Sequence, residues 1–260
     1  MRAIEFLILA FSLLAIAEMP VITAQSGSDG ISNLASSRQL IVVTTANWNA
    51  VNGRLRRYQR SETNGVWREI GGAISVVVGR NGMAWGRNGS DDWSKLAGPG
   101  DPVKKEGDGR SPAGIFKLSS AFGYAAKEQA GEVKLPYLQA TKTLECVDDP
   151  QSKNYNRVIE RGSVAVPDWQ SSEQMRRHDD QYRWGVIVDH NYASPEAGCG
   201  SCIFLHIWSA AGKGTAGCTA MESAKMEELL FWLDPKKNPV IVQLPQSEFA
   251  RLQKSWQLPR

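Results

Sequence analysis

Short runs of apolar, mostly β-branched residues recur along the chain, and glycine-containing turn sequences separate them. Runs of this kind are typical of strands, because branched side chains pack well on a pleated surface. Helical spacing of apolar residues is convincing only near the end of the chain, over 219–233 and 247–256. Because helices do not alternate with the strands, the pattern predicts a mainly β, single-domain fold. The predicted strands are 40–43, 74–78, 114–118, 185–188, 203–207 and 240–244.

The N-terminal segment has the features of a secretory signal peptide. Arg2 provides a basic start, an apolar run covers 6–17, and Thr23 and Ala24 offer a small-residue cleavage site. The run is shorter than the roughly 20 apolar residues that a membrane-spanning helix needs, although an uncleaved anchor is the alternative. We therefore predict a signal peptide at 1–24 and export to the periplasm or another part of the cell envelope.

The rest of the chain divides by composition into two parts. Residues 25–37 are small and polar, which predicts a linker, whereas 38–260 carry the predicted strands and form the expected domain. After removal of the signal peptide no segment is apolar and long enough to span a bilayer, so we expect no membrane span in the mature chain. The 260 residues carry a formal net charge of only +3 without a dense basic run, which gives no support for nucleic-acid binding.

His206 is the first candidate for chemistry. It lies in the predicted strand 203–207, where alternation places it on one face with Phe204 and on the opposite side from Leu205. A histidine among apolar side chains costs free energy unless it is hydrogen-bonded. A satisfied core histidine is the simpler interpretation, and His190, at the end of the strand before it, is a weaker acid/base candidate.

Cys218 follows twelve positions later, in the glycine-rich turn 214–218. If the predicted helix begins at Thr219, the cysteine lies at a helix N-terminus, where free amides and the helix dipole favour the thiolate. The same amides could bind a developing oxyanion. A nucleophile activated by His206 is one interpretation, and a structural or disulfide-bonded cysteine is an equal one on spacing alone.

A zinc site is a third possibility, because cysteine and histidine are the ligands that zinc prefers. Its ligands would be Cys199, Cys202, His206 and Cys218. However, only one Cys-x-x-Cys pair is present, and Cys202 and His206 would be roughly 13 Å apart along an extended strand. The spacing therefore speaks against one tetrahedral ion, and we expect no metal.

Three segments together resemble the L,D-transpeptidase catalytic domain family, the YkuD-like enzymes of the cell wall. They are the loop and strand GDGRSPAGIF at 107–116, the strand IFLHI at 203–207 and the turn TAGC at 215–218. The resemblance covers approximately residues 100–245. It implies a β-rich sandwich or barrel with a few helices, and it implies no cofactor.

The resemblance also implies roles for individual residues. Cys218 corresponds to the nucleophile and His206 to its base, while the amides of Gly217 and Cys218 would lie near the oxyanion. Thr215 occupies the family's Ser/Thr position, and Thr219 would lie beside the substrate. The short loop before Thr215, Ala216 in place of a frequent histidine, and the absence of Asn or Arg after the cysteine indicate a divergent branch.

By this resemblance the protein is expected to cross-link peptidoglycan stem peptides through a Cys218 thioester. A hydrolase with the same Cys/His pair, acting as an L,D-carboxypeptidase or amidase, is the first alternative. A non-catalytic peptidoglycan-binding or zinc-stabilised envelope module is the second. The polar stretch 148–180 is a candidate lid over the substrate cleft, with a solvated loop as its simpler interpretation.

The nucleophile role changes what the four cysteines predict. Their even number in an exported chain suggests two disulfides, but a nucleophile must stay free. Cys146, Cys199 and Cys202 then remain, and three thiols cannot all pair within one chain. We expect at most one disulfide, and two free thiols if that bridge forms.

Overall fold

A computed structural model of the protein describes residues 29–260, so the predicted signal peptide and the start of the predicted linker lie outside the described residues. The strands are β1 Gln39–Thr45, β2 Asn52–Gln59, β3 Arg68–Val77, β4 Met83–Trp85, β5 Arg87–Asn88, β6 Asp91–Asp92, β7 Ser111–Gly123, β8 Tyr137–Gln139, β9 Leu144–Val147, β10 Val158–Glu160, β11 Ser172–Gln174, β12 Trp184–Val188, β13 Phe204–Ile207, β14 Thr219–Met221 and β15 Val240–Pro245. The α-helices are α1 Asp29–Ser36, α2 Ser223–Trp232 and α3 Gln246–Leu252, and short 3₁₀ turns cover Trp93–Leu96, Lys127–Gln129, Arg161–Ser163, Asp180–Tyr182 and Pro235–Lys237.

The main sheet closes into a barrel. Its strands follow the order β12-β13-β14-β3-β2-β1-β15-β7, and β7 pairs again with β12. The parallel pairs are β13–β14 and β1–β15 on this path, while its other neighbours are antiparallel. Closure satisfies the backbone groups that an open sheet would leave at its edges. The predicted mainly β fold is therefore confirmed, and among the two predicted architectures the structure is a barrel.

The apolar side chains of β13 divide between two hydrophobic clusters. Leu205 and Ile207 belong to the larger cluster, which joins the barrel strands to the buried sides of α2 and α3. Phe204 belongs to a smaller cluster with Phe122 and Tyr182. The alternation predicted for this strand is thus observed, and its Phe204 face is the one that leads to the candidate site.

A small sheet stands beside the barrel. It consists of β9 between β10 and β11, both antiparallel to it. A disulfide joins Cys146 in β9 to Cys202, two residues before β13. The two outer strands, β10 and β11, lie within the predicted lid segment 148–180, and both pair with β9, the strand that the disulfide ties to the barrel.

Two predictions about helices need correction. The 29–36 part of the predicted linker is helix α1, whose Leu34 is buried in the larger cluster. Arg60 holds the end of that helix, because its guanidinium donates to the carbonyl oxygens of Leu34, Ala35 and Ser37. The helix predicted from Thr219 begins only at Ser223.

The strand predictions agree better with the structure. Each of the six predicted strands overlaps an observed one, with boundaries that differ by a few residues. Within residues 29–260, no helix is long and apolar enough to cross a membrane.

Candidate active site

A cleft of about 490 Å³ opens beside β13 and the turn before β14. It brings together four residues that the sequence singled out, namely His206, Thr215, Gly217 and Cys218. Because β13 and β14 run parallel with Leu205 opposite Thr219, Phe204 lies next to Cys218, and His206 lies further along the same face. The register of this strand pair is therefore what places the histidine and the cysteine in one cleft.

His206 is only 4% exposed and is held by its neighbours. Its Nδ1 lies 2.8 Å from the carbonyl oxygen of Ile207, so this nitrogen carries the proton of the neutral ring and donates it. The ring of Tyr182 packs edge-on against the imidazole at 5.1 Å between centroids. Burial lowers the pKa of His206 to about 4. The imidazole is therefore neutral at pH 7, and a second backbone hydrogen bond joins the ring to Gln181.

Cys218 is also buried, and its sulfur is held by the backbone of the neighbouring strand. The amide of Phe204 donates to the Cys218 sulfur at 3.3 Å, and the thiol donates to the carbonyl oxygen of Cys202 at 3.5 Å. Burial raises the pKa of Cys218 most, the charge of Glu173 raises it further, and hydrogen bonds from Phe204 and Tyr182 lower it. The resting residue is a neutral thiol.

This arrangement corrects the expectation of a thiolate at a helix N-terminus. The residues after Cys218 form β14 and not a helix, so neither the free amides of a first turn nor a helix dipole acts on the sulfur. The cleft is thus lined by a neutral thiol and a neutral imidazole, which are the groups needed for a reaction in which a base takes the thiol proton as the sulfur attacks.

Two hydroxyl groups fix the backbone of the cysteine. Ser111 Oγ and Thr215 Oγ1 both donate to the carbonyl oxygen of Cys218, at 2.9 and 2.6 Å. Ser111 also accepts from the Gly79 amide, and Thr215 accepts from the Gly217 amide. In this state the Gly217 N–H is already bonded, so its predicted oxyanion role requires that bond to open.

Thr219 lies elsewhere than predicted. Its side chain is 1% exposed, and its hydroxyl donates to Gln243 Oε1 in β15. Alternation along β14 turns it away from Cys218 and into the barrel. The structure therefore does not bring Thr219 to the cleft, in contrast to the other predicted site residues.

The glycine-rich loop before β7 supports the site. Asp108 folds the loop by accepting from Lys104 Nζ and from the amides of Lys105 and Arg110, and it forms an ion pair with Lys104. The loop leads into β7 at Ser111, whose hydroxyl donates to the Cys218 carbonyl oxygen. The loop is thus part of the scaffold that positions the turn containing Cys218.

The cleft also contains functional candidates that the sequence did not single out. Tyr182 is 2% exposed, and its hydroxyl donates to Glu173, a residue of β11. Arg177 lies 3.8 Å from the same carboxylate and extends over the Tyr182 ring. All three come from or directly follow the predicted lid segment 148–180. The mixture of acidic, basic and aromatic residues in that segment was the sequence feature that could have indicated them.

The four cysteines form a single disulfide. Cys146 and Cys202 form the disulfide, while Cys199 and Cys218 are free. One bridge and two free thiols agree with the sequence-based expectation. Because Cys202 is bonded to Cys146, the four-ligand zinc set is not available in this state.

His190 is a structural histidine. It is 1% exposed; Nδ1 accepts from the Arg87 amide at 3.4 Å, and Nε2 contacts the Cys199 carbonyl at 3.0 Å. Burial lowers its pKa to about 3, which keeps the ring neutral. Both ring nitrogens of His190 contact backbone groups outside the cleft, whereas His206 is the histidine that lines the cleft.

Comparison with known protein families decides the classification. The model of the L,D-transpeptidase catalytic domain, YkuD, matches residues 52–242. The chain belongs to this family. No curated protein and no solved structure matches the chain.

The match extends further toward the N-terminus than the resemblance at 100–245 indicated. It begins with β2 and ends within β15, so it includes most of the strands that close the L,D-transpeptidase barrel. It also contains the loop with Ser111, the strand with His206 and the turn with Cys218. The cleft geometry and the family match therefore concern the same part of the chain.

Proposed function

We propose that this protein is an exported L,D-transpeptidase that cross-links peptidoglycan stem peptides. The observation that carries the proposal is the buried Cys218 thiol beside the neutral His206 imidazole in an open cleft, within a domain of this family. The family supports a cysteine acyl-transfer enzyme acting on peptidoglycan. The particular acceptor, an amine of a second stem peptide, is our inference.

In the proposed reaction, His206 takes the thiol proton as the Cys218 sulfur attacks a carbonyl carbon of the donor stem peptide. The imidazolium then gives that proton to the departing amine, and a thioester remains on Cys218. The amine of the acceptor attacks the thioester carbonyl and loses a proton through His206 to the sulfur. A new amide bond forms, and the neutral pair is restored.

The contact between His206 Nδ1 and the Ile207 carbonyl has a clear part in this scheme. Because this carbonyl fixes the proton on Nδ1, it leaves Nε2 as the basic atom and stabilises the imidazolium after transfer. The buried neighbours of the ring, chiefly Tyr182, keep its orientation. The same site would serve hydrolysis if water replaced the amine, which is the alternative function.

The test is detection of the acyl intermediate and of its fate. Intact-mass spectrometry of the protein with a stem tetrapeptide should show a covalent adduct on Cys218, and Cys218→Ala should show none. A Cys199→Ser variant, which removes the other free thiol, is the matched control and should keep the adduct. Products are then analysed with and without an amine acceptor.

A cross-linked product that depends on the acceptor supports the transpeptidase. Free tripeptide as the main product with acceptor present supports the hydrolase. No adduct, together with peptidoglycan binding that survives Cys218→Ala, would support a non-catalytic module and refute both enzymatic assignments.

The proposal also includes the location and the partner. A signal peptide at 1–24 is consistent with peptidoglycan as the partner, and the Cys146–Cys202 disulfide is of a kind that persists outside the reducing cytoplasm. Fractionation of cells that express the full-length chain, with mass determination of the mature N-terminus, tests the export. Retention in the cytoplasm with an intact N-terminus would contradict it.

A further inference from the structure

One hydrogen-bonded pair in the cleft has no part in the proton transfers described above. Glu173 in β11 accepts from the hydroxyl of Tyr182, and Tyr182 lines the same cleft as Cys218, with its ring against Phe204, whose amide donates to the Cys218 sulfur. Tyr182 packs edge-on against both Phe204 and His206, at 5.7 and 5.1 Å between ring centroids. These two ring contacts place the phenol against the face of β13 that carries His206.

A phenol has one proton to donate, and two acceptors compete for it. While Glu173 is ionised, its charge-assisted hydrogen bond takes the Tyr182 proton. The phenol oxygen, with its lone pairs, then faces the thiol of Cys218. If Glu173 loses its charge, the Tyr182 proton is free to turn to the sulfur and to stabilise a thiolate.

We propose that Glu173, acting through Tyr182, is a positioning residue that holds Cys218 as a protonated thiol until the reaction requires the thiolate. This inference rests on the proposed function, because only a nucleophile needs such control. Its test measures the reactivity of the Cys218 thiol and does not require turnover of a stem peptide. It assigns to β11 a control over the nucleophile that does not involve His206.

The surroundings of both groups are consistent with this control. Around the cysteine, Lys104 is the cation whose charge favours the thiolate, and the charge of Glu173 opposes it. Burial raises the pKa of Glu173 most, while the Tyr182 hydrogen bond and the Arg177 charge lower it and the Asp148 charge raises it. The side chain of Glu173 keeps 29% of its surface exposed. Its charge state can therefore respond to what enters the cleft.

The experiment measures the reactivity of Cys218 directly, without any turnover. Alkylation by iodoacetamide is followed by intact mass over a range of pH in a Cys199→Ser background, so that one free thiol remains. Glu173→Gln is compared with the parent, and both are repeated with Tyr182→Phe. Glu160→Gln removes a carboxylate from β10 of the same small sheet, outside the cleft, and is the matched control.

Loss of the Glu173 charge should lower the apparent pKa of Cys218 by about one unit or more. The thiolate fraction at pH 8 then rises about tenfold, and the lower nucleophilicity of a less basic thiolate reduces the gain in alkylation rate to about threefold. In the Tyr182→Phe background the same substitution should change the rate by less than half as much on a logarithmic scale. Glu160→Gln should leave the rate unchanged.

Two results would overturn the inference. An unchanged alkylation profile in Glu173→Gln would show that the carboxylate does not control the thiol. An equal effect with and without the Tyr182 hydroxyl would show that Glu173 acts only as a remote charge. Glu173→Asp keeps the charge but withdraws it from the phenol, so it should shift the profile in the same direction if the hydrogen bond matters.

The outcome is separable from that of the proposed function. A protein that forms no acyl adduct with stem peptides can still show the shift in Cys218 alkylation, in which case the control stands and the proposed reaction fails. Normal cross-linking with no shift in Cys218 alkylation would mean that the proposed reaction stands and the control by Glu173 fails. Thermal unfolding of each variant identifies any that has lost its fold, and Glu173→Asp then supplies the comparison.

Discussion

Removal of the disulfide between Cys146 and Cys202 should destabilise the protein substantially. The two cysteines are 56 positions apart in the sequence, so the bridge closes a long loop in the unfolded chain. In the chain-entropy treatment a loop of this length corresponds to about 4 kcal/mol of stability. For a chain of this size, that free energy corresponds to a decrease of about 8–16 °C in the melting temperature.

The assay is unfolding by heat or urea with and without a phosphine reductant. The Cys146→Ala/Cys202→Ala double variant is the matched control, because the reductant has no bond to break in it. Its unfolding midpoint should lie below that of the oxidised wild type and should not respond to the reductant. Thiol titration of the unfolded wild type should give two reactive groups before reduction, Cys199 and Cys218, and four afterwards.

Either of two results would refute this reasoning. Equal midpoints for oxidised and reduced wild type would mean that the loop constraint contributes nothing measurable. Four reactive thiols in the unfolded chain without reductant would mean that the bridge is absent. A decrease in stability that appears only in the double variant would assign the effect to lost side-chain packing and not to the bond.

Other predictions concern the scaffold. Ser111→Ala leaves the buried Gly79 amide without its acceptor and should cost about 1–3 kcal/mol in urea unfolding; an unchanged midpoint would contradict this. A Cβ on Gly185 would lie 2.1 Å from a ring carbon of Phe122, so Gly185→Ala should lower the melting temperature by about 2–12 °C. The pKa values of two buried histidines lie below the usual range, at about 3 for His190 and about 4 for His206. The unfolded chain therefore binds more protons, and stability should fall as pH decreases from 6.5 toward 4, by up to about 1.4 kcal/mol per pH unit for each histidine. Urea midpoints that stay constant between pH 6.5 and 4.5 would exclude this.

The alternation within one strand was predictable because it depends on local sequence only. Side chains of β13 alternate between two clusters as the pattern of 203–207 indicates, and this alone places His206 on the cleft side. The pairing of cysteine and histidine followed from a family resemblance that rests on short motifs. Local alternation and motif recognition together gave the two residues at the centre of the candidate site.

The environment of Cys218 was not predictable from local sequence. Helical spacing of apolar residues begins near Thr219, but three residues there pair with β13 and β3 and become β14. Asn-Gly is a dipeptide typical of β-hairpin turns, and at Asn81-Gly82 the Gly82 amide does donate to Gly79. The strands on either side, β3 and β4, nevertheless pair with other strands and not with each other. A local signal can specify a turn or a periodicity, whereas long-range pairing decides which element uses it.

The disulfide and the control proposed for Glu173 are connected through the small sheet. Glu173 in β11 is paired directly opposite Cys146 in β9, and Cys146 is bonded to Cys202. The carbonyl of Cys202 accepts from the Cys218 thiol. The Cys146–Cys202 bond thus joins the strand that pairs with Glu173 to the backbone whose carbonyl accepts from Cys218. The bridge should therefore do more than stabilise the fold, since reduction would loosen the position of Glu173 and change the reactivity of the cysteine in a protein that is still folded.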